Sequence, residues 1–168
     1  MMSTLDISGI VEESIVDGPG VRFVVFVQGC PHNCRGCHNP QTHPFGIGTQ
    51  TEISELYQKI RENPFVRGVT FSGGEPFCQA EALAVLGNEI KKLGLNIITY
   101  TGYTFEYLFE NRNINSYGKL LDVTDILIDG EFIEEEKDWQ IKFRGSRNQR
   151  YLDCNASMKS GIATDAII

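Results

Sequence analysis

The segment Gly29-Cys30-Pro31-His32-Asn33-Cys34-Arg35-Gly36-Cys37-His38-Asn39-Pro40 places three cysteines within eight residues of a loop that is rich in glycine and proline. The spacing C-x3-C-x2-C lets three thiolates converge on one centre. Iron-sulfur clusters are held by thiolates, usually four, so three ligands leave one iron of a four-iron four-sulfur (4Fe-4S) cluster without a protein ligand. Catalytic metal sites need such an open position. We therefore predict that Cys30, Cys34 and Cys37 hold one 4Fe-4S cluster.

Two other chemistries use closely spaced cysteines. A structural zinc site would need a fourth ligand, which His32 or His43 could supply, but such sites more often present two separated pairs of ligands. A thioredoxin-like redox role for Cys34 and Cys37 would leave Cys30 unexplained. Both alternatives explain the cysteine spacing less completely than an iron-sulfur cluster does.

The other cysteines argue against a disulfide scaffold. The chain has five cysteines, an odd number, and a disulfide framework would normally spread its pairs along the sequence. Cys78 and Cys154 are isolated, so we interpret both as structural thiols.

Length, charge and composition set the class of protein. The 168 residues suffice for one domain, and no apolar run approaches the roughly 20 residues of a membrane span. We expect one domain over residues 1–168, with a partly mobile tail at about 155–168. A net charge of -7 would repel a nucleic-acid backbone, so we expect neither nucleic acid nor membrane as a partner. Because Met1 to Gly9 resembles no signal or transit peptide, the cytoplasm is the expected location.

Alternating strand and helix patterns predict the fold class. Strands are predicted at 7–11, 21–27, 66–71, 96–100 and 125–128, and helices at 52–62, 80–93 and 104–110. This alternation favours parallel strands with right-handed crossovers and places the chemistry in loops at the carboxyl ends of the strands. About five to six strands are too few for a closed eight-stranded barrel. We therefore predict an α/β protein with a partial, open β/α barrel of mostly parallel strands.

A second motif, Gly73-Gly74-Glu75-Pro76, follows the third predicted strand. Paired glycines let the backbone approach a ligand closely, and exposed carbonyl groups suit an ammonium group. Taken alone, the segment could equally be a simple turn. Together with the cysteine loop it resembles the radical S-adenosylmethionine (SAM) superfamily.

That resemblance implies a cofactor arrangement. SAM would bind the open iron through its amino and carboxylate groups, and the backbone of Gly73, Gly74 and Glu75 would contact the methionine amino group. A second set of SAM contacts is implied at the last cysteine, where residues near the adenine are often aromatic: Gly36, Cys37 and His38. A loop histidine bonded to backbone or solvent is the alternative for His38.

Motifs across roughly residues 10–153 resemble, in the same order, the glycyl-radical-enzyme activases, and among these the activases of anaerobic ribonucleoside-triphosphate reductase. They are DGPGVR at 17–22, GCPH at 29–32, SGGEP at 72–76, YTGY at 100–103, IDGEF at 128–132 and FRGSRNQR at 143–150. The first of them could also be only a tight turn. The twelve residues between Asn39 and Glu52 leave no room for the second-cluster insert of several other activases.

The resemblance implies a radical SAM oxidoreductase. A reduced 4Fe-4S cluster would cleave SAM to methionine and a 5'-deoxyadenosyl radical, which takes a hydrogen atom from a glycine of the reductase. An electron donor such as flavodoxin would supply the reducing electron. The implied partner is therefore a protein substrate, the anaerobic ribonucleoside-triphosphate reductase.

Two other functions and one further motif stay open at this point. The chain could be a small radical SAM enzyme acting on a free metabolite, as in deazapurine synthesis, or a non-enzymatic zinc-binding module. A basic strip near the end of the chain fits either phosphate recognition or the solvent side of an edge strand. We favour a partner-docking or structural role for its members, which are Lys142, Arg144, Arg147 and Arg150.

Overall fold

Seven strands, five α-helices and three short 3-10 helices make up the computed structural model, which describes residues 3–168. The strands are β1 Thr4–Ser14, β2 Arg22–Val27, β3 Thr49–Glu52, β4 Gly68–Gly73, β5 Asn96–Tyr100, β6 Ile126–Asp129 and β7 Arg150–Asp153. The helices are α1 Ile53–Glu62, α2 Ala80–Lys92, α3 Phe105–Glu110, α4 Tyr117–Val123 and α5 Cys154–Ser160. All strands belong to one open sheet in the order β3-β1-β2-β4-β5-β6-β7.

The centre of the sheet is parallel and its flanks are antiparallel. β2, β4, β5 and β6 run in one direction, whereas β1, β3 and β7 pair antiparallel to their neighbours. The carboxyl ends of the four parallel strands therefore meet at one edge. The cysteine loop leaves β2 at this edge, and the Gly73-Gly74 turn leaves β4 beside it, since Val27 pairs with Gly73.

The period-two alternation of the strands divides their side chains between two faces. Val25, Phe71, Ile97 and Leu127 belong to the main core, which also contains the apolar residues of the helices. A smaller cluster of Ile98, Ile128 and Tyr151 forms on the other side, where the loop residue Phe143 packs on it. The helices thus cover one face, and loops cover part of the other.

Local sequence explains where the two long helices begin and end. α1 buries Ile53, Leu56 and Ile60, which share one face, and it stops before Asn63-Pro64. α2 is followed by Gly94, whose φ of 77° is a left-handed conformation that favours glycine at this position. Both helices agree with the sequence prediction to within one residue at each end.

The open, partial barrel is confirmed, with seven strands rather than five to six. The additional strands are β3, whose sequence TQTE has no apolar alternation, and the four-residue β7. α4 and α5, of seven residues each, were also not predicted. α5 lies at the start of the expected tail, and beyond it Asp165 bridges to Leu152 of β7. No helix within residues 3–168 is long and apolar enough to cross a membrane.

Candidate metal centre and cofactor cavity

A cavity of about 660 Å³ opens at the carboxyl edge of the parallel strands. Of the residues predicted from sequence, it is lined by Cys30, Cys34, Cys37, His38, Gly73 and Gly74. The strand-end residues Thr101, Gly102 and Gly130 also line it, as expected for loops that follow parallel strands. Another cavity, of about 680 Å³, lies beside α2 and is lined by Cys78 but by none of the three clustered cysteines.

Backbone hydrogen bonds close the cysteine loop on itself and on the sheet. Gly29 N donates to Thr42 O at 2.7 Å, and Cys30 N donates to His43 O at 3.0 Å. Glu75 N donates to Gly29 O at 2.8 Å, which joins the loop to the end of β4. These backbone hydrogen bonds hold the two ends of the loop together and against the end of β4.

The three thiols line the same cavity, where they could bind one cluster. Within residues 3–168, no group of three His, Cys, Asp or Glu side chains is arranged to hold one metal ion. In a 4Fe-4S cluster each thiolate binds a different iron, so the sulfur atoms need not meet at one point. Burial raises the pKa of the Cys30 and Cys34 thiols, so the positive charge of bound iron would be needed to deprotonate them.

Glu75 lies beneath the loop and is almost completely buried, with 1% of its surface exposed. Its carboxylate accepts hydrogen bonds from Gly102 N at 2.8 Å, Phe77 N at 2.9 Å and Thr101 Oγ1 at 2.9 and 3.0 Å. His32 Nε2 lies 2.6 Å from Glu75 Oε1 and completes the set. The carboxylate is engaged by protein groups and does not line the cavity. The contact with SAM predicted for Glu75 is through its backbone, so the position of the carboxylate leaves that prediction open.

His32 is held by carboxylates on both ring nitrogens. Its Nδ1 lies 3.4 Å from Glu131 Oε1, and its ring packs edge-on against Tyr103 with centroids 4.5 Å apart. Burial lowers the pKa of His32, but the hydrogen bond and charge of Glu75, together with Glu131, outweigh it and raise the pKa. A histidine engaged at both nitrogens has none left for a metal, which argues against His32 as a zinc ligand.

Gly73 and Gly74 are packed where no side chain fits. A Cβ at Gly74 would lie 2.3 Å from Gly29 O, and one at Gly73 would lie 2.6 Å from Val27 N. Gly73 also has a φ of 96°. These glycines let the end of β4 approach β2 and the cysteine loop closely.

Gly36 lies at the loop surface beside Glu134 and is not part of the cavity lining. A Cβ there would lie 3.1 Å from the carboxyl carbon of Glu134, and Arg35 Nε lies 3.2 Å from Glu134 Oε2. The structure therefore brings four of the six predicted SAM contacts to the cavity wall, but not Gly36 or Glu75.

An aromatic wall borders the cavity at His38. The His38 ring lies 5.2 Å from the Phe132 ring centroid and stacks on Trp139 at 5.8 Å with an interplanar angle of 5°. Such flat, apolar faces suit an adenine ring. Phe132 and Trp139 were missed from sequence because they lie about 100 residues after the cysteine loop, and only the DGEF motif pointed to that region.

The four residues of the basic strip differ in their contacts and in their exposure to solvent. Arg150 donates to the buried Asp129 through Nε at 2.9 Å and Nη2 at 2.5 Å, and to Glu106 through Nη2 at 2.6 Å. This arginine is structural. Arg144 lines the cavity, whereas Lys142 and Arg147 are exposed.

The DGPGVR motif has a structural arginine at its end. Arg22 is 1% exposed and donates from Nε to Thr70 Oγ1 at 2.7 Å and from Nη2 to Val69 O at 2.8 Å. Burial lowers the pKa of this guanidinium to about 10. The motif therefore ties the loop before β2 to the neighbouring parallel strand, while its Asp17 reaches the cavity.

An open α/β sheet with three thiols around a cavity at its carboxyl edge is the architecture of a radical SAM iron-sulfur enzyme. The family of the 4Fe-4S single cluster domain matches residues 16–152. The chain belongs to this family and, within it, to the glycyl-radical-enzyme activases, whose cofactors are one 4Fe-4S cluster and SAM.

Named relatives cover most of the chain. The anaerobic ribonucleoside-triphosphate reductase-activating protein of Vibrio cholerae is 34% identical over 80% of this chain and 89% of its own length. The protein of that name from Escherichia coli strain K12 is 30% identical over 80% and 90%. The pyruvate formate-lyase-activating enzyme of Listeria monocytogenes is 38% identical over 82% of this chain but 57% of its own length. QueE from Escherichia coli, a crystal structure, aligns with 60% of this chain and 53% of its own at a TM-score of 0.48 and 22% identity.

Proposed function

We propose that this protein activates an anaerobic ribonucleoside-triphosphate reductase by generating a glycyl radical on it. The observation that carries the proposal is the cavity in which the three thiols and the Gly73-Gly74 turn meet. Relatives named as activating proteins of that reductase align over about nine-tenths of their own length, which supports this target over pyruvate formate-lyase.

The roles of the site residues form part of the proposal. Cys30, Cys34 and Cys37 would be the protein ligands of the cluster, and the backbone at Gly73 and Gly74 would lie against the amino group of SAM. When bound, the reduced cluster and SAM supply the 5'-deoxyadenosyl radical that removes a hydrogen atom from glycine. The chain's own residues hold these groups in place and limit access of water to them.

His38, with Phe132 and Trp139 around it, would receive the adenine, since a flat aromatic wall suits a planar base. The Glu75 carboxylate would organise the strand ends rather than contact SAM, because its oxygens are already hydrogen bonded. Gly36 would affect SAM binding only through the path of the loop backbone. Its φ of 76° is a left-handed conformation that glycine adopts without strain.

The setting of the reaction is also proposed. The reducing electron would come from a small donor protein such as flavodoxin, and the reaction would take place in the cytoplasm. Nucleic acid and membrane have no part in it, in keeping with the net charge of -7.

The experiment is an anaerobic activation assay. The reconstituted, reduced protein is mixed with SAM and the reductase of the same organism, and the glycyl radical is measured by electron paramagnetic resonance. A Cys34→Ala variant and a reaction without SAM serve as controls and should give no radical. The proposed target is wrong if SAM is cleaved but the reductase acquires no radical signal. Pyruvate formate-lyase would be the target if it acquires the signal instead, and a free metabolite would be the substrate if it is consumed.

A further inference from the structure

His43 has a buried ring nitrogen without a hydrogen-bond partner. Its Nε2 is shielded from solvent, and no donor or acceptor within residues 3–168 bonds to it. Leaving a buried polar group unsatisfied costs free energy, so such an atom in a folded protein calls for an explanation. His43 also lines the cavity that contains Cys30, Cys34 and Cys37. We therefore look for the partner of this nitrogen in what the cavity binds.

Backbone and side-chain hydrogen bonds fix His43 beside the first cysteine of the loop. Its O accepts from Cys30 N at 3.0 Å. The buried Gln28 donates from Nε2 to Gln41 O at 3.1 Å and to Pro44 O at 2.7 Å, on either side of His43. The backbone that carries the ring is therefore held in place relative to Cys30.

The cysteine sulfur atoms already have backbone donors. Asn39 N donates to Cys37 Sγ at 3.4 Å. Burial raises the pKa of the Cys30 thiol, and a backbone hydrogen bond from His32 opposes the rise. Sulfur atoms of iron-sulfur clusters accept hydrogen bonds, and these bonds help to set the reduction potential. A side-chain donor at His43 would extend a pattern that the loop backbone begins.

His43 differs from the other histidine, aspartate and arginine residues of the cavity wall, which are Asp17, His32, His38 and Arg144. Within residues 3–168, it is the one member of this set with a buried polar atom that lacks a partner. The Asp17 carboxylate can only accept hydrogen bonds when ionised. Carboxylates hold His32 at both ring nitrogens, and the His38 ring belongs to the aromatic wall.

We propose that His43 donates a hydrogen bond from Nε2 to a sulfur atom of the bound 4Fe-4S cluster and thereby raises its reduction potential. A neutral imidazole with its hydrogen on Nε2 is sufficient. Reduction adds one negative charge to the cluster and its thiolates, so a donor stabilises the reduced state more than the oxidised state. This inference rests on the ligation of the cluster by Cys30, Cys34 and Cys37, as in the proposed function.

The test is a reductive titration of the anaerobically reconstituted protein without SAM, followed by electron paramagnetic resonance. His43→Phe keeps a flat ring and removes the donor. At a fixed potential its ratio of reduced to oxidised cluster should fall about threefold to tenfold, which lowers the midpoint potential by about 28 to 59 mV for one electron. His43→Gln keeps an N–H donor and should restore most of the loss. Gln41→Ala, an exposed change in the adjacent 3-10 helix, should leave the midpoint unchanged.

The stability of the metal-free protein separates this role from a merely structural one. His43→Phe removes a buried polar atom that has no partner, so the midpoint of denaturant unfolding should not fall. A structural role would instead lower that midpoint in the metal-free protein and leave the reduction potential of the loaded protein unchanged. That combination would overturn the inference.

Isotope-labelled protein decides the outcome if His43→Phe holds too little iron for a titration. When the histidine rings carry heavy nitrogen, pulsed electron paramagnetic resonance of the reduced wild type should show a weak nitrogen coupling that equally labelled His43→Gln lacks. Identical spectra, or an unchanged midpoint in fully loaded His43→Phe, would overturn the inference. A wild-type protein that assembles no cluster would refute the proposed function itself, so the two failures are distinguishable.

Discussion

His32 Nε2 and Glu75 Oε1 lie 2.6 Å apart, although 43 residues separate them in the sequence. One residue belongs to the cysteine loop and the other to the turn after β4. Their contact joins the cysteine loop to the Gly73-Gly74-Glu75-Pro76 segment. His32, which contacts the carboxylates of Glu75 and Glu131, lies in the sequence between two proposed cluster ligands, Cys30 and Cys34.

The three clustered cysteines should be essential for cluster assembly. Changing Cys30, Cys34 or Cys37 to Ala should abolish it, since three ligands are the minimum proposed, whereas Cys78→Ala should retain about four irons per chain. Iron and sulfide content after anaerobic reconstitution measures this. Full iron retention in Cys34→Ala would refute the ligand assignment.

Removing His32 should loosen the loop. In His32→Ala, Glu75 loses one hydrogen-bond partner while it stays buried, so the free energy of unfolding of the metal-free protein should fall by about 1–3 kcal/mol. The reconstituted variant should also lose iron faster. Arg35→Ala is the matched control, because its exposed pair with Glu134 should contribute at most about 1 kcal/mol. Equal unfolding midpoints for His32→Ala and the wild type would contradict the role of this contact.

Gly74 should not tolerate a side chain. Because a Cβ there would meet Gly29 O at 2.3 Å and Thr42 O at 3.0 Å, Gly74→Ala should destabilise the protein by about 1–3 kcal/mol and disturb the cysteine loop. Gly9→Ala, where no atom lies within 4 Å, should change stability by less than about 0.5 kcal/mol. Denaturant unfolding of the metal-free variants compares them. A Gly74→Ala protein as stable as Gly9→Ala would show that the contact relaxes without cost.

Breaking the Arg150 pair should destabilise the end of β6. Arg150→Gln leaves the buried Asp129 without its cation, and we expect a loss of about 1–3 kcal/mol, less than for a fully buried pair because the Arg150 side chain is 35% exposed. Arg147→Gln is the control and should be near neutral. Thermal unfolding followed by circular dichroism distinguishes the two. An Arg150→Gln protein that unfolds at the wild-type temperature would contradict a structural role.

The second ion pair of Arg150, with Glu106, predicts a dependence of stability on pH. A hydrogen bond from Arg150 lowers the pKa of Glu106, so the ionised form is favoured by folding. This contribution is complete above the unfolded pKa of about 4.3 and is lost as the pH falls through the lower folded value. The stability difference between wild type and Arg150→Gln should therefore shrink below about pH 4. A difference that is constant from pH 7 to 3 would exclude this linkage.

The central strands and long helices could be predicted because they bury apolar residues with a regular period. β2 buries Phe23, Val25 and Val27, β4 buries Val69 and Phe71, and α1 repeats Ile53, Leu56 and Ile60 on one face. β3 has no such pattern, since TQTE takes its conformation from pairing with β1 rather than from its own side chains. Elements that depend on tertiary pairing are not encoded locally.

The residues of the site also fall into those that the local sequence predicts and those that it does not. The cysteine ligands follow from spacing within one loop, so sequence alone identifies them. His32, Phe132 and Arg144 reach the site only when the strand ends meet, and nothing near each residue in the sequence indicates its partner. The Gly-Gly-Glu motif could be found in the sequence, but the hydrogen bonds of the buried Glu75 carboxylate to Gly102 and Thr101 could not, because those residues follow a different strand.

The hydrogen bonds that close the cysteine loop on Thr42, His43 and Glu75 have a consequence for metal assembly. Small zinc domains fold only when their metal binds, because they lack a core of their own. Here a seven-stranded sheet supplies the core, and backbone hydrogen bonds between protein groups hold the ends of the loop. The amide hydrogens of Gly29 and Cys30 should consequently exchange slowly with solvent in the metal-free protein, and cluster delivery should require little refolding.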